Sequence, residues 1–467
     1  MALIKSVSGI RGTIGGKPGD NLTPVDIIKF TSAFCEIIKK RTGKDNIKIV
    51  TGRDARISGK SVENLITGTL AANGAKVINI GLATTPTTEI AVTEEKADGG
   101  IIITASHNPK QWNALKLLNE KGEFISAEEG DALLNIADAD FDNFHFSETD
   151  KYQTTENKDY LQRHIDLILR NKFVDTDAIK KAGFKIAVDA VNSVGGIAVP
   201  ALLEQLGVTE IVKLNCEPTG NFAHTPEPVP ENLSQISYLM KEKSLDAGFA
   251  VDPDVDRLVI INEDGTMFNE EYTIVAIADF ILSQTPGNTV SNLSSSRALR
   301  DITEKHGGKY YASAVGEVNV VAKMKEVNAV FGGEGNGGVI FPELHYGRDS
   351  LAGIALFLTH LAKSGLKCSE LRAKYPDYFI SKNKIDLTPE TDIDKILKNI
   401  KDKFSSRKDI EITDIDGVKL DFTDGWVHLR KSNTEPIIRI YAEGKSKNEA
   451  EELAASIINE VNSLKNK

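Results

Sequence analysis

The sequence predicts an α/β chain. Helical and β-rich segments alternate through most of it, a strand–loop plan recurs three times, and the last part changes to another mixture of helix and strand. The first helix is the clearest. Thr23 can cap it, Pro24 suits its first position, Ile27, Phe30, Phe34 and Ile37 share one face, and Gly43 stops it. Residues 47–50 then read as a strand. Residues 61–73 read as a helix, with Val62, Leu65, Ile66, Thr69 and Leu70 at helical spacing, stopped by Gly74.

Each round of the repeat runs glycine, strand, helix, strand, polar loop. The first goes from Gly74 through a strand at 76–80, a helix at 87–96 and a strand at 99–104 to the loop Ala105-Ser106-His107-Asn108-Pro109. The second starts at Gly207, has a strand ending at Leu214, a helix at 231–243 and a strand at 247–251, and delivers Asp252-Pro253-Asp254-Val255-Asp256-Arg257. The third starts at Gly307-Gly308, has a strand ending at Ala312, a helix at 318–325 and a strand at 329–331, and delivers Gly332-Gly333-Glu334-Gly335-Asn336-Gly337-Gly338. Open α/β sheets place ligands at such strand ends. Residues 374–384, with Pro376, read as a linker. A small α+β domain follows, with helices at 393–404 and 448–464 and strands at 410–412, 418–422, 426–430 and 437–442.

A chain of 467 residues has room for about three or four domains. Its net charge of -11 disfavours nucleic acid and anionic membranes as partners. An anionic substrate is compatible only if basic side chains gather at one place. Cys35, Cys216 and Cys368 are far apart and form no CxxC pair, so reduced thiols in a cytoplasmic protein are expected, without disulfide or zinc. Residues 1–12 lack the apolar core of a signal peptide. The apolar stretch 351–361 is too short to span a bilayer and reads as a buried helix.

Four loops carry chemistry. Asp252, Asp254 and Asp256 alternate, and in an extended segment residues two apart point the same way, so three carboxylates converge where a hard cation would relieve their repulsion. An EF-hand does not fit, because Arg257 stands where the turn glycine belongs. Three fixed ligands leave room for water and a phosphate oxygen, as magnesium prefers. Ser106 follows a buried strand and can be a nucleophile, a phosphate carrier or a plain turn former. It lacks the GxSxG elbow. His107 and Lys116 are nearby basic groups, and Lys116 would act as a base only if neighbouring cations removed its proton. Glu334 and Asn336 sit among glycines, suited to sugar hydroxyls or to a flexible turn. Arg430, Ser432, Asn433, Thr434 and Arg439 form the densest group of anion donors in an acidic chain.

These loops in this order, with Ser8-Gly9-Ile10-Arg11-Gly12, Gly52-Arg53-Asp54 and Ser58-Gly59, resemble the α-D-phosphohexomutase superfamily over essentially the whole chain. The resemblance implies three related α/β domains with mixed sheets and a smaller C-terminal α+β domain around a central cleft. The expected domains are 1–153 for the phosphoserine, 154–262 for the metal, 263–370 for the sugar and 371–467 for the substrate's phosphate. It implies that Ser106 carries phosphate and that Asp252, Asp254 and Asp256 hold one Mg2+ with it. Arg11, Arg257, His107 and Lys116 match active-site positions, the Glu334 loop matches a sugar-hydroxyl site and the Arg430 loop a phosphate site.

The implied activity is that of a phosphohexose mutase, moving phosphate between the 6- and 1-positions through a hexose bisphosphate that also serves as activator. The family often has serine where this chain has Asn336. Glu317 ends a loop, Ala314-Val315-Gly316-Glu317, in which dual phosphomannomutase/phosphoglucomutase enzymes often place histidine and bacterial phosphoglucosamine mutases an acidic residue. Glu317 can pair with a substrate ammonium group, so phosphoglucosamine mutase is expected, with phosphomannomutase/phosphoglucomutase as the alternative. A sugar-phosphate phosphatase and an inactive phosphosugar-binding protein are rivals of other classes. The expected partner is a phosphosugar, and the expected state is a monomer or homodimer. The linker before the last domain suggests a hinge.

Overall fold

The computed structural model describes residues 3–6, 9–138, 144–148, 152–387, 391–432 and 437–465. The chain forms two compact units, one of Met1–Phe280 with Asn336–Arg372 and one of Ile281–Gly335 with Ala373–Lys467.

The first unit begins with seven strands: β1 (Leu3–Ser6), β2 (Gly9–Thr13), β3 (Lys48–Arg53), β4 (Lys76–Leu82), β5 (Gly99–Ile103), β6 (Trp112–Leu118) and β7 (Gln153–Glu156). They form one mixed sheet in the order β1-β2-β6-β5-β3-β4-β7. Four more, β8 (Lys185–Asp189), β9 (Glu210–Leu214), β10 (Ala247–Val251) and β11 (Leu258–Asn262), form a second in the order β11-β10-β8-β9. In both, the central strands are parallel and the strand after the polar loop turns back antiparallel. The order β6-β5-β3-β4 in the first sheet is matched by β11-β10-β8-β9 in the second. The repeated plan is therefore real. It puts the Ser106 loop, between β5 and β6, and the Asp252 loop, between β10 and β11, at the same point of each sheet.

The helix Pro24–Thr42 starts as its sequence demands. Thr23 caps it, Asp26 completes the capping box, and Gly43 ends it in the left-handed region at φ 68°. Its apolar face, with Phe30, Phe34 and Ile38, packs on Ile49, Ile101 and Leu115 of the sheet. Each such side chain contributes about 1.5–3 kcal/mol by leaving water, and Phe34→Ala would forfeit about 3–5 kcal/mol.

In the second unit, β12 (Asn288–Asn292), β13 (Tyr310–Ser313) and β14 (Ala329–Glu334) are parallel with β12 in the middle, the arrangement of β8, β9 and β10 again. The chain returns to the first unit with β15 (Gly338–Ile340) and the helix Ser350–Ser364, almost wholly buried, as its apolar sequence predicts. Five antiparallel strands complete the second unit: β16 (Phe379–Asp386), β17 (Glu411–Thr413), β18 (Val418–Asp421), β19 (Trp426–Lys431) and β20 (Ile437–Gly444), in the order β16-β20-β19-β18-β17. Helices Ile393–Phe404 and Lys447–Lys465 cover one face, with Ile396, Ile400 and Ile457 packed on Leu420, Val427 and Ile440.

Two expectations change. The segment expected as a linker ends in β16, which pairs along its whole length with β20. Its polar, weakly alternating residues hid a strand that lies at the sheet edge, where only one side needs a partner. The helix expected at 231–243 starts at Ser234, because Pro230–Asn232 forms a 3-10 turn before it. Among the described residues no helix is long and apolar enough to cross a membrane, and the three cysteines are not paired with one another.

Candidate functional site

Ser106 is 6% exposed and adopts φ 48°, a left-handed conformation that costs a non-glycine residue about 1–3 kcal/mol. Its neighbours hold it there. Ser106 N donates to Thr104 Oγ1 at 2.9 Å, and Thr104 Oγ1 donates to Asp54 Oδ2 at 2.7 Å. Arg56 is fully buried and spreads its donors over the loop. They reach the carbonyls of Ser106, Asn108 (2.7 Å), Pro109 (2.8 Å) and Trp112 (3.0 Å), while Nε pairs with Asp54 Oδ2 at 3.0 Å. Thus the Gly52-Arg53-Asp54 stretch acts mainly through Asp54 and the arginine two residues later.

From this strained turn Ser106 Oγ donates to Asp252 Oδ2 at 2.6 Å. Asp252, Asp254 and Asp256 are fully buried, and one ligand atom from each lies within 4.8 Å of the others. The three converge as expected, but not by alternation along an extended strand. Residues 252–257 form a turn in which Val255 adopts φ 64°, and Asp252 Oδ1 accepts from the backbone N–H of Asp256 and Arg257, each at 3.1 Å. A β-branched residue in that region is an outlier, and such strain gathers where geometry matters.

The second oxygens of two of these carboxylates are engaged by cations and a hydroxyl. Lys116 Nζ donates to Asp254 Oδ2 at 2.7 Å and to Asp256 Oδ2 at 3.1 Å, Thr85 Oγ1 donates to Asp254 Oδ2 at 2.6 Å, and Arg348 Nη2 donates to Asp256 Oδ2 at 2.7 Å. Asp254 Oδ1 and Asp256 Oδ1 are buried without a hydrogen-bond partner. Two orphaned carboxylate oxygens beside a third carboxylate form an oxygen donor set that fits a hard divalent cation.

Charge in the site follows from this packing. Burial and the other two carboxylates push Asp252 well above the ordinary carboxylate range. Burial would also raise Asp256, but Arg348, Lys116 and Arg257 together hold it below that range. Burial opposes the charge of Lys116, yet Asp254 and Asp256 raise it above the ordinary lysine value. The nearest neighbours of Lys116 Nζ are thus the carboxylates of Asp254 and Asp256, where the sequence suggested cations. His107 Nδ1 lies 3.3 Å from Ser106 Oγ, and burial, then Arg257, holds it well below the ordinary histidine value. Arg11, on β2, is lowered by burial and then by the charges of Arg257 and Arg348, while Asp254 and Asp256 oppose them. Arg257 Nε is buried without a hydrogen-bond partner. Arg348, Thr85 and Arg56 were missed by sequence reasoning.

Asn336 belongs to the first unit, where its Oδ1 accepts from Gly338 N at 3.2 Å. The second unit holds the other named residues. Glu334 is 4% exposed, and its Oε1 accepts from Asn292 Nδ2 at 2.8 Å and Gly316 N at 3.2 Å. Glu317 is buried as the first residue of the helix Glu317–Glu326. Arg430 on β19 stands directly opposite Arg439 on β20, and Ser432 is buried just past the end of β19. Asn433 and Thr434 lie outside the described residues.

Comparisons with known proteins agree along the chain. Phosphoglucomutase/phosphomannomutase profiles match in order: alpha/beta/alpha domain I over residues 3–143, domain II over 162–265, domain III over 269–378 and the C-terminal domain over 382–460. A Thermococcus kodakarensis "Phosphoglucomutase/phosphomannomutase" is 36% identical over 94% of this chain and 96% of its own length. A Methanopyrus kandleri "Probable phosphoglucosamine mutase" is 31% identical over 96% of this chain and 95% of its own. A crystal structure of a phosphoglucomutase/phosphomannomutase family protein from Burkholderia thailandensis has a TM-score of 0.85 and 26% identity, covering 98% of this chain and 97% of that one.

Proposed function

The chain belongs to the phosphoglucomutase/phosphomannomutase family of phosphohexose mutases, and from that membership we propose that it interconverts hexosamine 6- and 1-phosphates through a phosphoserine at Ser106. The observation that carries this reading is the 2.6 Å approach of Ser106 Oγ to Asp252, which joins the nucleophile candidate to the acidic turn.

In the first half-reaction the bond from phosphorus to Ser106 Oγ breaks as one forms to a free sugar hydroxyl, whose proton ends on the released Ser106 Oγ. The product is a bisphosphate. In the second, its other phosphoryl group returns to Ser106. Magnesium held by Asp252, Asp254 and Asp256 would supply positive charge to the phosphoryl oxygens, the main need in phosphoryl transfer. Lys116 and Thr85 hold Asp254 in place, and Arg56 and Thr104 hold the serine turn. His107, kept neutral by burial beside Ser106 Oγ, is placed to handle a proton. Burial of Ser106 limits hydrolysis of its phosphoester by water. Arg430 and Arg439 bind the phosphate that the substrate already carries, and Glu334 its hydroxyls.

Glu317, a buried carboxylate at a helix start, supports the hexosamine as substrate, as does the name of the Methanopyrus relative. The Thermococcus relative supports a second reading, in which glucose and mannose phosphates are turned over.

Mass spectrometry of the purified protein should find phosphate on Ser106, and Ser106→Ala should lose both phosphate and activity. An active, unphosphorylated Ser106→Ala protein would end this mechanism. A panel of hexose and hexosamine phosphates, assayed with magnesium and bisphosphate, decides the substrate. Glucosamine phosphate should be preferred, and Glu317→Gln should erase the preference.

A further inference from the structure

We propose that Arg348 is a third guanidinium of the phosphoryl-transfer site, seated on Asp256 and fixed there by a buried chain of Glu89, His345, Asp349 and His164. The inference rests on the reading of Ser106 and the acidic turn given above.

The backbone on both sides of Arg348 is pinned. On one side, Gly347 packs closely on Glu89 and His345: a Cβ there would lie 1.9 Å from Glu89 Oε2 and 2.9 Å from His345 Cε1. On the other, Asp349 caps the helix Ser350–Ser364, its Oδ1 accepting from Leu351 N at 2.9 Å and Ala352 N at 3.1 Å. Asp349 Oδ2 accepts from His164 Nε2 at 2.9 Å and from His345 Nε2 at 3.2 Å. His345 Nδ1 lies 3.3 Å from Glu89 Oε2, and His164 Nδ1 meets Thr87 Oγ1 at 3.0 Å. His345 thus bridges two buried carboxylates. Gly338 leaves room for the stem of Arg348, since a Cβ would stand 2.4 Å from its Cδ. The guanidinium is delivered to Asp256 Oδ2 at 2.7 Å with its side chain 10% exposed.

Lys116 also touches Asp256, but it is shared with Asp254, which it meets more closely. Besides facing Asp256, Arg348 acts with Arg257 to lower Arg11, so three guanidiniums feel one another around the acidic turn. Like charges gathered in a buried place are worth keeping when an anion passes through, and a phosphoryl group in transfer is such an anion.

The test is Arg348→Gln, with Arg348→Lys and His345→Gln beside it. Magnesium chloride alone is titrated calorimetrically into each protein, and steady-state kinetics are measured with the preferred sugar phosphate. Removing a cation from Asp256 should leave magnesium binding unchanged or tighter, while kcat falls about 100-fold and KM changes little. Arg348→Lys keeps the charge without the fork and should fall less, and His345→Gln should shift both quantities the same way to a smaller extent. If Arg348→Gln does not fold, the other two variants carry the comparison. A kcat within threefold of the parent, or a fall in kcat that accompanies weakened magnesium binding, would overturn the proposal. So would a transition-metal ion present in the parent and lost from His345→Gln, because His164, His345 and Asp349 would then be its ligands. A parent without phosphoserine would defeat the mutase reading alone, since tighter magnesium binding in Arg348→Gln would still report Arg348 on Asp256.

Discussion

Arg430 and Arg439 occupy directly opposed positions on the antiparallel strands β19 and β20. Side chains so placed share one face with their Cβ atoms about 5 Å apart, and two like charges there repel. Burial and then Arg439 depress the Arg430 guanidinium, while Asp416 opposes them. A phosphate between the two arginines turns repulsion into two charge-assisted contacts, each worth about 1.5–3 kcal/mol. Alanine at either position is expected to raise KM for the sugar phosphate about 10–100-fold, with a smaller effect on kcat. An unchanged KM in both variants would remove this pair from the substrate site.

The orphaned Oδ1 atoms of Asp254 and Asp256 predict a metal requirement. Chelation should abolish activity and magnesium should restore it. Asp254→Asn halves the donor capacity on which both the ion and Lys116 depend. Its magnesium affinity, measured by calorimetry, should drop at least about tenfold. Full activity in a chelated, metal-free protein would contradict the assignment.

Arg56 predicts a stability effect beneath the Ser106 loop. Methionine there leaves the carboxylate of Asp54 buried beside four loop carbonyls that lose a donor. Breaking such a buried pair costs about 3–5 kcal/mol. At about 2–4 °C per kcal/mol for a domain of this size, the first unit should melt on the order of 10 °C lower in Arg56→Met. Calorimetric traces that coincide with the parent's would refute it.

His345 predicts a pH dependence. Burial opposes its charge, but Asp349 and Glu89 raise its pKa to about 10. The folded value lies above the ordinary 6.5 of the unfolded chain, so the protonated ring stabilises the fold fully below about pH 6.5 and progressively less as pH rises toward 10. The stability gap between parent and His345→Gln, from urea titrations, should therefore be widest at pH 6 and narrow by pH 9. A gap that widens with pH would reverse the sign and refute the ion-paired state.

Much of the fold was open to a reader of the sequence. Thr23, Pro24 and Gly43 mark one helix by local chemistry, and apolar spacing marks the others. The repeat was visible because each round ends its second parallel strand in a polar loop. β16 was not, because an edge strand of alternating polar residues looks like a linker until β20 pairs with it. The acidic turn was located correctly but its geometry was not. Nothing local announces that Val255 goes left-handed, since the strain is met by packing elsewhere.

By itself the sequence determined which chemical groups stand at the ends of which strands. Hydrophobic period, caps and loop composition are properties of neighbours along the chain, and they are readable there. Only the tertiary structure decided which of those groups meet. Ser106 reaches Asp252 across 146 positions, Arg348 reaches Asp256 across 92, and Arg430 faces Arg439 because of strand register. The reason is physical. Contacts between distant side chains depend on how sheets register and how buried polar groups find partners, and both are settled by packing the whole unit at once.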